Sequence, residues 1–162
     1  MKRILIFIPI AILFCSCNKA TVEDNTAAED SEKAVGAVRD SVADGVALRL
    51  QPRHFTLAQL KDKASLTMEN NSKEAIITGD NYHIERLHEG RWEMLEAFRE
   101  LAFNSIGYMI PAGAAKEFEI GFLADKQRYT PGRYRVIKHY MKDADLTPKA
   151  SQDVYFEFTV TP

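Results

Sequence analysis

Cysteine is nearly absent from this sequence of 162 residues, which has Cys15 and Cys17 and none after them. A domain folded from the remainder therefore has no disulfide, no cysteine nucleophile and no cysteine-ligated metal. The sequence also lacks any run of about 18 apolar residues that could form a membrane-spanning helix. An excess of one charge is missing too, because 21 basic residues face 23 acidic ones, and this balance argues against nucleic-acid binding.

Catalytic motifs are missing as well, since the sequence has no Gly-x-Ser-x-Gly elbow and no phosphate-binding glycine loop. His83, Glu85 and His88 invite a metal site, but their spacing is not that of a zinc-binding helix. On a strand, His83 and Glu85 share a face while His88 falls in a turn. Glu117 and Glu119 alternate with apolar residues, as on a solvated strand face. We therefore expect no metal, no cofactor and no enzymatic activity.

The first residues carry the features of a bacterial export signal. Lys2 and Arg3 precede an apolar stretch at residues 4–14, which has the length of a signal peptide. The segment Phe14-Cys15-Ser16-Cys17 resembles a bacterial lipobox, and this implies cleavage after Ser16 with Cys17 as the acylated first residue. The resemblance predicts a signal peptide at residues 1–16 and a membrane anchor formed by acyl chains such as palmitate on Cys17. The alternative is an ordinary secretory signal cleaved nearby.

Residues 17–44 differ in composition from the remainder of the chain. Positions 18–44 hold seven acidic residues against three basic ones and no aromatic residue, a composition typical of a disordered tether. Glu23 and Asp24 resemble the acidic cluster that sends some exported lipoproteins to the cell surface, and Asp40-Ser41-Val42 resembles an O-glycan acceptor of some Gram-negative lineages. We expect the protein to be lipid-anchored in the outer membrane or at the surface of a Gram-negative bacterium.

From Gly45 onward the hydrophobic pattern has a period of two, which predicts β-strands. The clearest alternation lies near the end of the chain, at Val154, Phe156, Phe158 and Val160. Residues 82–87 and 91–95 flank His88-Glu89-Gly90 and predict a hairpin with a bulge. Residues 94–103 form a short turn of helix or a loop. About seven to nine strands without a long amphipathic helix predict an all-β antiparallel sandwich over residues 45–162.

The segment Thr130-Pro131-Gly132-Arg133-Tyr134 makes the expected fold more specific. Pro131 presets φ and Gly132 supplies the positive φ of a type II turn, which would place Tyr134 at the start of a strand. Immunoglobulin-like sandwiches carry a tyrosine corner at this place, and its hydroxyl bonds back to the preceding connection. We expect the Tyr134 ring to be buried.

Several segments occur in the order seen in a family of bacterial immunoglobulin-like (Ig-like) domains. They are 69–72, 82–87, Gly90-Arg91-Trp92, Ile110-Pro111-Ala112-Gly113 and residues 130–135. The chain resembles that family along most of residues 45–162. The resemblance implies an Ig-like β-sandwich in an exported, often lipid-anchored protein, and it brings no catalytic residues with it.

The pleat of the predicted strands indicates one face for binding. It directs Trp92 inward as a core residue and sends a mixed polar and aromatic set outward, namely His83, Glu85, Arg91, Arg135, His139 and Tyr155. This set contains arginine, tyrosine and histidine but no lysine, a composition suited to partner recognition. A plain solvated face is the alternative.

These features together predict an interaction or structural module of the cell envelope whose partner is an unknown envelope protein or glycan. A glycan or small-ligand binding module is one alternative, and an accessory or inhibitor subunit of an envelope enzyme is another. An exposed aromatic cluster in the structure would indicate a glycan. A flat patch of arginine and tyrosine, or an unpaired edge strand, would indicate a protein.

Overall fold

The computed structural model describes residues 39–142 and 151–162. The predicted signal peptide, Cys17, the Glu23 and Asp24 pair and the tether as far as residue 38 lie outside the described residues. In the part that is described, no helix is long and apolar enough to cross a membrane.

The secondary structure is dominated by strands. One α-helix of four residues, α1 (Glu96–Arg99), and a 3-10 turn (Gln59–Lys61) are the helical elements of the described residues. The strands are β1 (Val42–Ala43), β2 (Val46–Gln51), β3 (His54–Thr56), β4 (Lys63–Asn70), β5 (Ile76–His88), β6 (Arg91–Met94), β7 (Gly107–Ile110), β8 (Ala115–Gly121), β9 (Gly132–Lys142) and β10 (Gln152–Thr161).

These strands form two sheets that pack face to face. The first sheet has the order β1-β2-β4-β8, and the second has the order β3-β10-β9-β5-β6, with β7 pairing with another part of β5. All pairs are antiparallel except β3 with β10. Apolar side chains from both sheets fill the space between them, among them Leu66, Met68, Val136 and Phe158. The predicted all-β sandwich is confirmed.

Strand β9 shows why the two faces of the second sheet differ. Its pleat directs Tyr134, Val136 and Tyr140 into the core, while Arg135 and His139 point away from it. The outward side of this six-stranded sheet is called the outer face below.

The predicted tyrosine corner is confirmed. Tyr134 is only 1% exposed, its hydroxyl donates to the Thr130 carbonyl at 2.7 Å, and it accepts from the Thr130 N–H at 3.2 Å. The predicted type II turn is wrong, because Gly132 already pairs with Val160 as the first residue of β9. Its φ of +153° differs from the value of about +80° that such a turn requires.

The folded part includes residues 40–44, which precede the boundary predicted at Gly45. β1 pairs with β2, and the Tyr155 N–H donates to the Ser41 hydroxyl at 2.6 Å. The Glu157 N–H donates to the Asp40 carboxylate at 3.2 Å. The edge of β10 thus finds acceptors in two short polar side chains, although the composition of residues 17–44 is typical of a tether.

The hydroxyl of Tyr134 provides the first test. Because it satisfies both backbone groups of Thr130, Tyr134→Phe should lower the free energy of unfolding by about 1 to 3 kcal/mol with the fold retained. Tyr134→Ala adds a cavity and should cost about 3 to 5 kcal/mol. Denaturant melts measure both effects.

Tyr155→Phe is the matched control, since the Tyr155 hydroxyl has no hydrogen-bond partner among the described residues, and it should melt like the wild type. Equal melts for Tyr134→Phe and the wild type would show that the corner contributes nothing to stability.

Candidate functional site

The outer face brings together five of the six residues predicted for it. Strand β5 supplies His83 and Glu85, β9 supplies Arg135 and His139, and β10 supplies Tyr155. Cross-strand pairing sets Glu85 opposite Arg135, while both His83 and Tyr155 lie opposite Ile137. Residues that pair directly across a sheet share a face, so the register alone makes these side chains neighbours.

Arg135 is the centre of this cluster. Its guanidinium contacts the Glu85 carboxylate through two nitrogens, at 2.5 and 2.7 Å. The same guanidinium lies over the ring of Trp92 at 4.6 Å and over the ring of Tyr155 at 4.8 Å. The side chain is therefore held by one ion pair and two cation–π contacts, which makes it a rigid and half-hidden part of the surface.

The hairpin β5–β6 differs from the prediction in its turn and in the faces of Trp92 and Arg91. His88 pairs with Arg91, so the turn consists of Glu89 and Gly90 alone, both at positive φ, and has no bulge. Compared with the predicted three-residue turn, the pairing shifts by one residue, and such a shift moves every side chain of β6 to the other face.

Trp92 consequently lies half-buried on the outer face rather than in the core. Arg91 lies on the opposite side of the hairpin and is not part of the outer face.

The two histidines of the outer face lie side by side. The ring centres of His83 and His139 are 5.8 Å apart, His83 Nε2 is 3.3 Å from Glu85 Oε1, and His139 Nδ1 contacts Asp153. Burial lowers the pKa of His83, and the hydrogen bond to Glu85 offsets this only in part. Burial therefore favours the neutral form of the His83 ring.

A metal site does not form around these histidines in the described residues, where no three His, Cys, Asp or Glu side chains are arranged as ligands. His88 pairs with Arg91 on the other side of β5 and points away from His83.

Apolar residues continue the outer face beyond the histidines. Met109 on β7 lies opposite Ile77, which also pairs with Met141, and the Met109 side chain is 59% exposed. Ile106, just before β7, is exposed as well. In the sequence, Ile106, Tyr108 and Ile110 alternate with Gly107 and Met109, and this pattern is the signal that could have placed Met109 on the outer side.

A second feature is a cavity of about 580 Å³, called the edge cavity below. One side is the free edge of β8 from Lys116 to Gly121, and the other comprises β5, β7 and residues 101–104. The Asp80 carboxylate accepts hydrogen bonds from Asn104 at 2.9 Å and from the Tyr108 hydroxyl at 3.2 Å. The Lys116 ammonium lies 4.1 Å above the Tyr108 ring.

Lys138 is a buried lysine that the sequence patterns did not reveal as special. It occupies an inward position of β9 with no exposed surface, and its ammonium donates to the carbonyls of Gly79 at 2.7 Å and Asn81 at 3.2 Å. Those carbonyls belong to the irregularity of β5 between Thr78 and Tyr82. Burial lowers the pKa of Lys138 to about 8.

Lys138 predicts a pH dependence of stability. The unfolded chain holds the Lys138 proton up to its ordinary pKa of 10.5, whereas the folded chain loses it near pH 8. Between those values the unfolded state binds more protons, so the fold gains stability as the pH rises. Relative to Lys138→Met, the wild type should therefore gain free energy of unfolding from about pH 8 to 10.5, as measured by melts at several pH values.

Lys126→Met removes an exposed amine and is the matched control. A difference between the wild type and Lys138→Met that stays constant over this pH range contradicts the prediction.

Comparison with known proteins identifies a family that this chain matches. Residues 44–158 match the family described as bacterial Ig-like domain. No curated protein matches this chain.

Two examples illustrate the solved structures that are similar to the chain. One is the alkylpurine DNA glycosylase AlkC of Pseudomonas fluorescens bound to DNA containing an abasic site analog, with a TM-score of 0.36 and 16% identity over 75% of this chain and 32% of that chain. The other is a beta-glucosidase of Listeria innocua in complex with glucose, with a TM-score of 0.34 and 17% identity over 80% of this chain and 17% of that chain. This chain thus spans a third or less of those proteins, and neither similarity bears on its function. The family match covers the sandwich almost from end to end, and the chain belongs to the bacterial Ig-like domain family.

Proposed function

We propose that this protein is a lipid-anchored lipoprotein of a Gram-negative cell envelope whose Ig-like domain binds another protein. Membership of the family supports a general role as an interaction or structural module. The choice of a protein as the partner rests on the outer face. The proposal assigns no catalytic activity and no cofactor to the domain.

The observation that carries the proposal is the stack of Trp92, Arg135 and Tyr155 on the outer face. Tryptophan, tyrosine and arginine are the residue types that contribute most to protein–protein binding. Glu85 and the two rings hold Arg135 in place before any partner arrives, so little side-chain entropy remains to be lost on binding.

The opposite end of the outer face supports the same conclusion. Met109 and Ile106 expose apolar surface there, and apolar contacts usually form the centre of a protein interface. The glycan alternative would use an exposed aromatic platform. Within residues 39–142 and 151–162 the exposed large hydrophobic residues include no aromatic one, namely Val42, Leu57, Ile106 and Met109. The rings of Trp92 and Tyr155 are only partly exposed and pack on Arg135, so they do not form an open platform.

The anchor is the part of the proposal that rests on Cys17. Two or three acyl chains hold a protein to a bilayer stably, whereas one chain gives only marginal binding. In cells fed an alkyne analogue of palmitate, the wild type should take up label and sediment with membranes, and mass spectrometry should find lipid on an N-terminal peptide that begins at Cys17.

Cys17→Ala should lose both label and sedimentation, while Cys15→Ala, the matched control, should keep them. An unlabelled wild-type chain in the soluble fraction contradicts the anchor.

The outer face is tested by site-specific photocrosslinking in intact cells of the native host. A photoreactive amino acid at Asp153 or at Met109 should capture the same protein, because both side chains lie on the outer face and are about equally exposed, at 60% and 59%. The matched control is Arg49, which is 63% exposed on the other sheet and should capture nothing above background.

A crosslinked product whose added mass contains no second protein and is removed by glycosidases would indicate the glycan alternative. Equal capture of the same protein from position 49 would contradict the assignment of the outer face as the binding surface.

A further inference from the structure

The free edge of β8 is the strongest unassigned feature of the described residues. Within residues 39–142 and 151–162, β8 is the last strand of the first sheet and pairs with β4 alone. The Asn70 N–H donates to the Ala114 carbonyl, and hydrogen-bonded pairs alternate along an antiparallel ladder. Residues 115, 117, 119 and 121 therefore direct their backbone groups away from β4.

Gly121 confirms this alternation independently. Its N–H donates to the Tyr82 hydroxyl at 2.8 Å, and the same hydroxyl donates to its carbonyl at 2.9 Å. At Gly121 the edge of β8 is thus already occupied by the side chain of Tyr82. The corresponding groups of Glu117 and Glu119 have no partner in the part of the chain that is described.

We propose that an extended segment of a partner protein, with basic and apolar residues in alternation, adds to the edge of β8 at Glu117 and Glu119. Each of these two residues offers one backbone donor and one acceptor to such a strand. The proposal rests on the role as a protein-binding module, but it uses a different surface from the outer face.

The side chains of β8 define the chemistry of the added strand. Glu117 and Glu119 point outward, so the residues directly opposite them would share that outward side. Basic residues there would face two carboxylates. Glu117 accepts a hydrogen bond from the Ser65 hydroxyl at 2.5 Å, and Glu119 contacts Lys63 in an ion pair. Both contacts are exposed, and exposed contacts of this kind are weak enough to be replaced.

The residues between the basic ones would point the other way, into the edge cavity. Apolar side chains suit that space, because Tyr82, Phe103, Tyr108 and Phe118 line it. A cavity of about 580 Å³ has room for such side chains beside the Lys116 ammonium.

A second copy of this chain is a poor occupant. If two β8 strands paired antiparallel, glutamates would face glutamates on the outward side, and like charges directly opposite one another are destabilising. The charge of the edge therefore favours a basic partner and protects the protein from pairing with itself.

Hydrogen–deuterium exchange of the full chain, read by mass spectrometry, tests the proposal. The probe is a synthetic peptide of about seven residues that alternates arginine with valine. It should slow exchange about tenfold at the fast-exchanging amides of residues 115–121. The peptide concentration that gives this protection should be about tenfold lower than for the same peptide with glutamate in place of arginine. A scrambled arginine–valine peptide should give no protection, because its side chains do not alternate.

Charge reversal makes the test specific. The double variant Glu117→Lys, Glu119→Lys should prefer the glutamate–valine peptide, whereas Glu89→Lys, Glu93→Lys makes the same charge change on the β5–β6 hairpin and should keep the wild-type preference. If the lysine variant at the edge does not fold, Glu117→Gln, Glu119→Gln should abolish the preference between the peptides.

Three results would overturn the proposal, namely protection by the scrambled peptide, an unchanged preference after charge reversal, or no protection of residues 115–121. None of them affects crosslinking from Asp153 and Met109, so failure of the edge and failure of the proposed function are distinguishable.

Discussion

Strand β9 runs through the middle of the six-stranded sheet, hydrogen-bonded to β5 on one side and to β10 on the other. Successive residues of a strand point to opposite faces, so its pleat separates Tyr134, which anchors the core, from Arg135, which organises the outer face. The tyrosine corner holds the start of β9 against the preceding connection. Burial of one set of side chains thus determines the exposure of the other.

This dependence explains how much could be predicted from the sequence. Alternation between apolar and polar residues located β10, because such alternation is a local property of the strand. The orientation predicted for the side chains of β6 was wrong. It depends on whether the preceding turn has two residues or three, and Gly90 is compatible with either turn length. The positions of Asp40 and of Lys138 depend on distant parts of the chain, and no local pattern contains that information.

The outer face and the edge of β8 differ in how far their charged and polar groups are already paired within the protein. The charges of the outer face are largely neutralised by their own neighbours, as in the pairs Arg135–Glu85 and Arg133–Glu157. A partner at this face would therefore gain more from aromatic and apolar contact than from new ion pairs. The edge of β8 differs in its backbone, because the outward N–H and C=O groups of Glu117 and Glu119 have no partner among the described residues, while the two carboxylates make only exposed contacts with Ser65 and Lys63.

The most direct measurement of the outer face uses Trp92, the single tryptophan of the chain. Acrylamide quenching of its fluorescence reports how accessible the ring is, before and after the protein is bound to the partner captured at Asp153. We expect measurable quenching in the free protein, because the ring is partly exposed beside Arg135, and strong protection in the complex. A ring already protected in the free protein, or quenched equally in the complex, would contradict the assignment of the outer face as the binding surface.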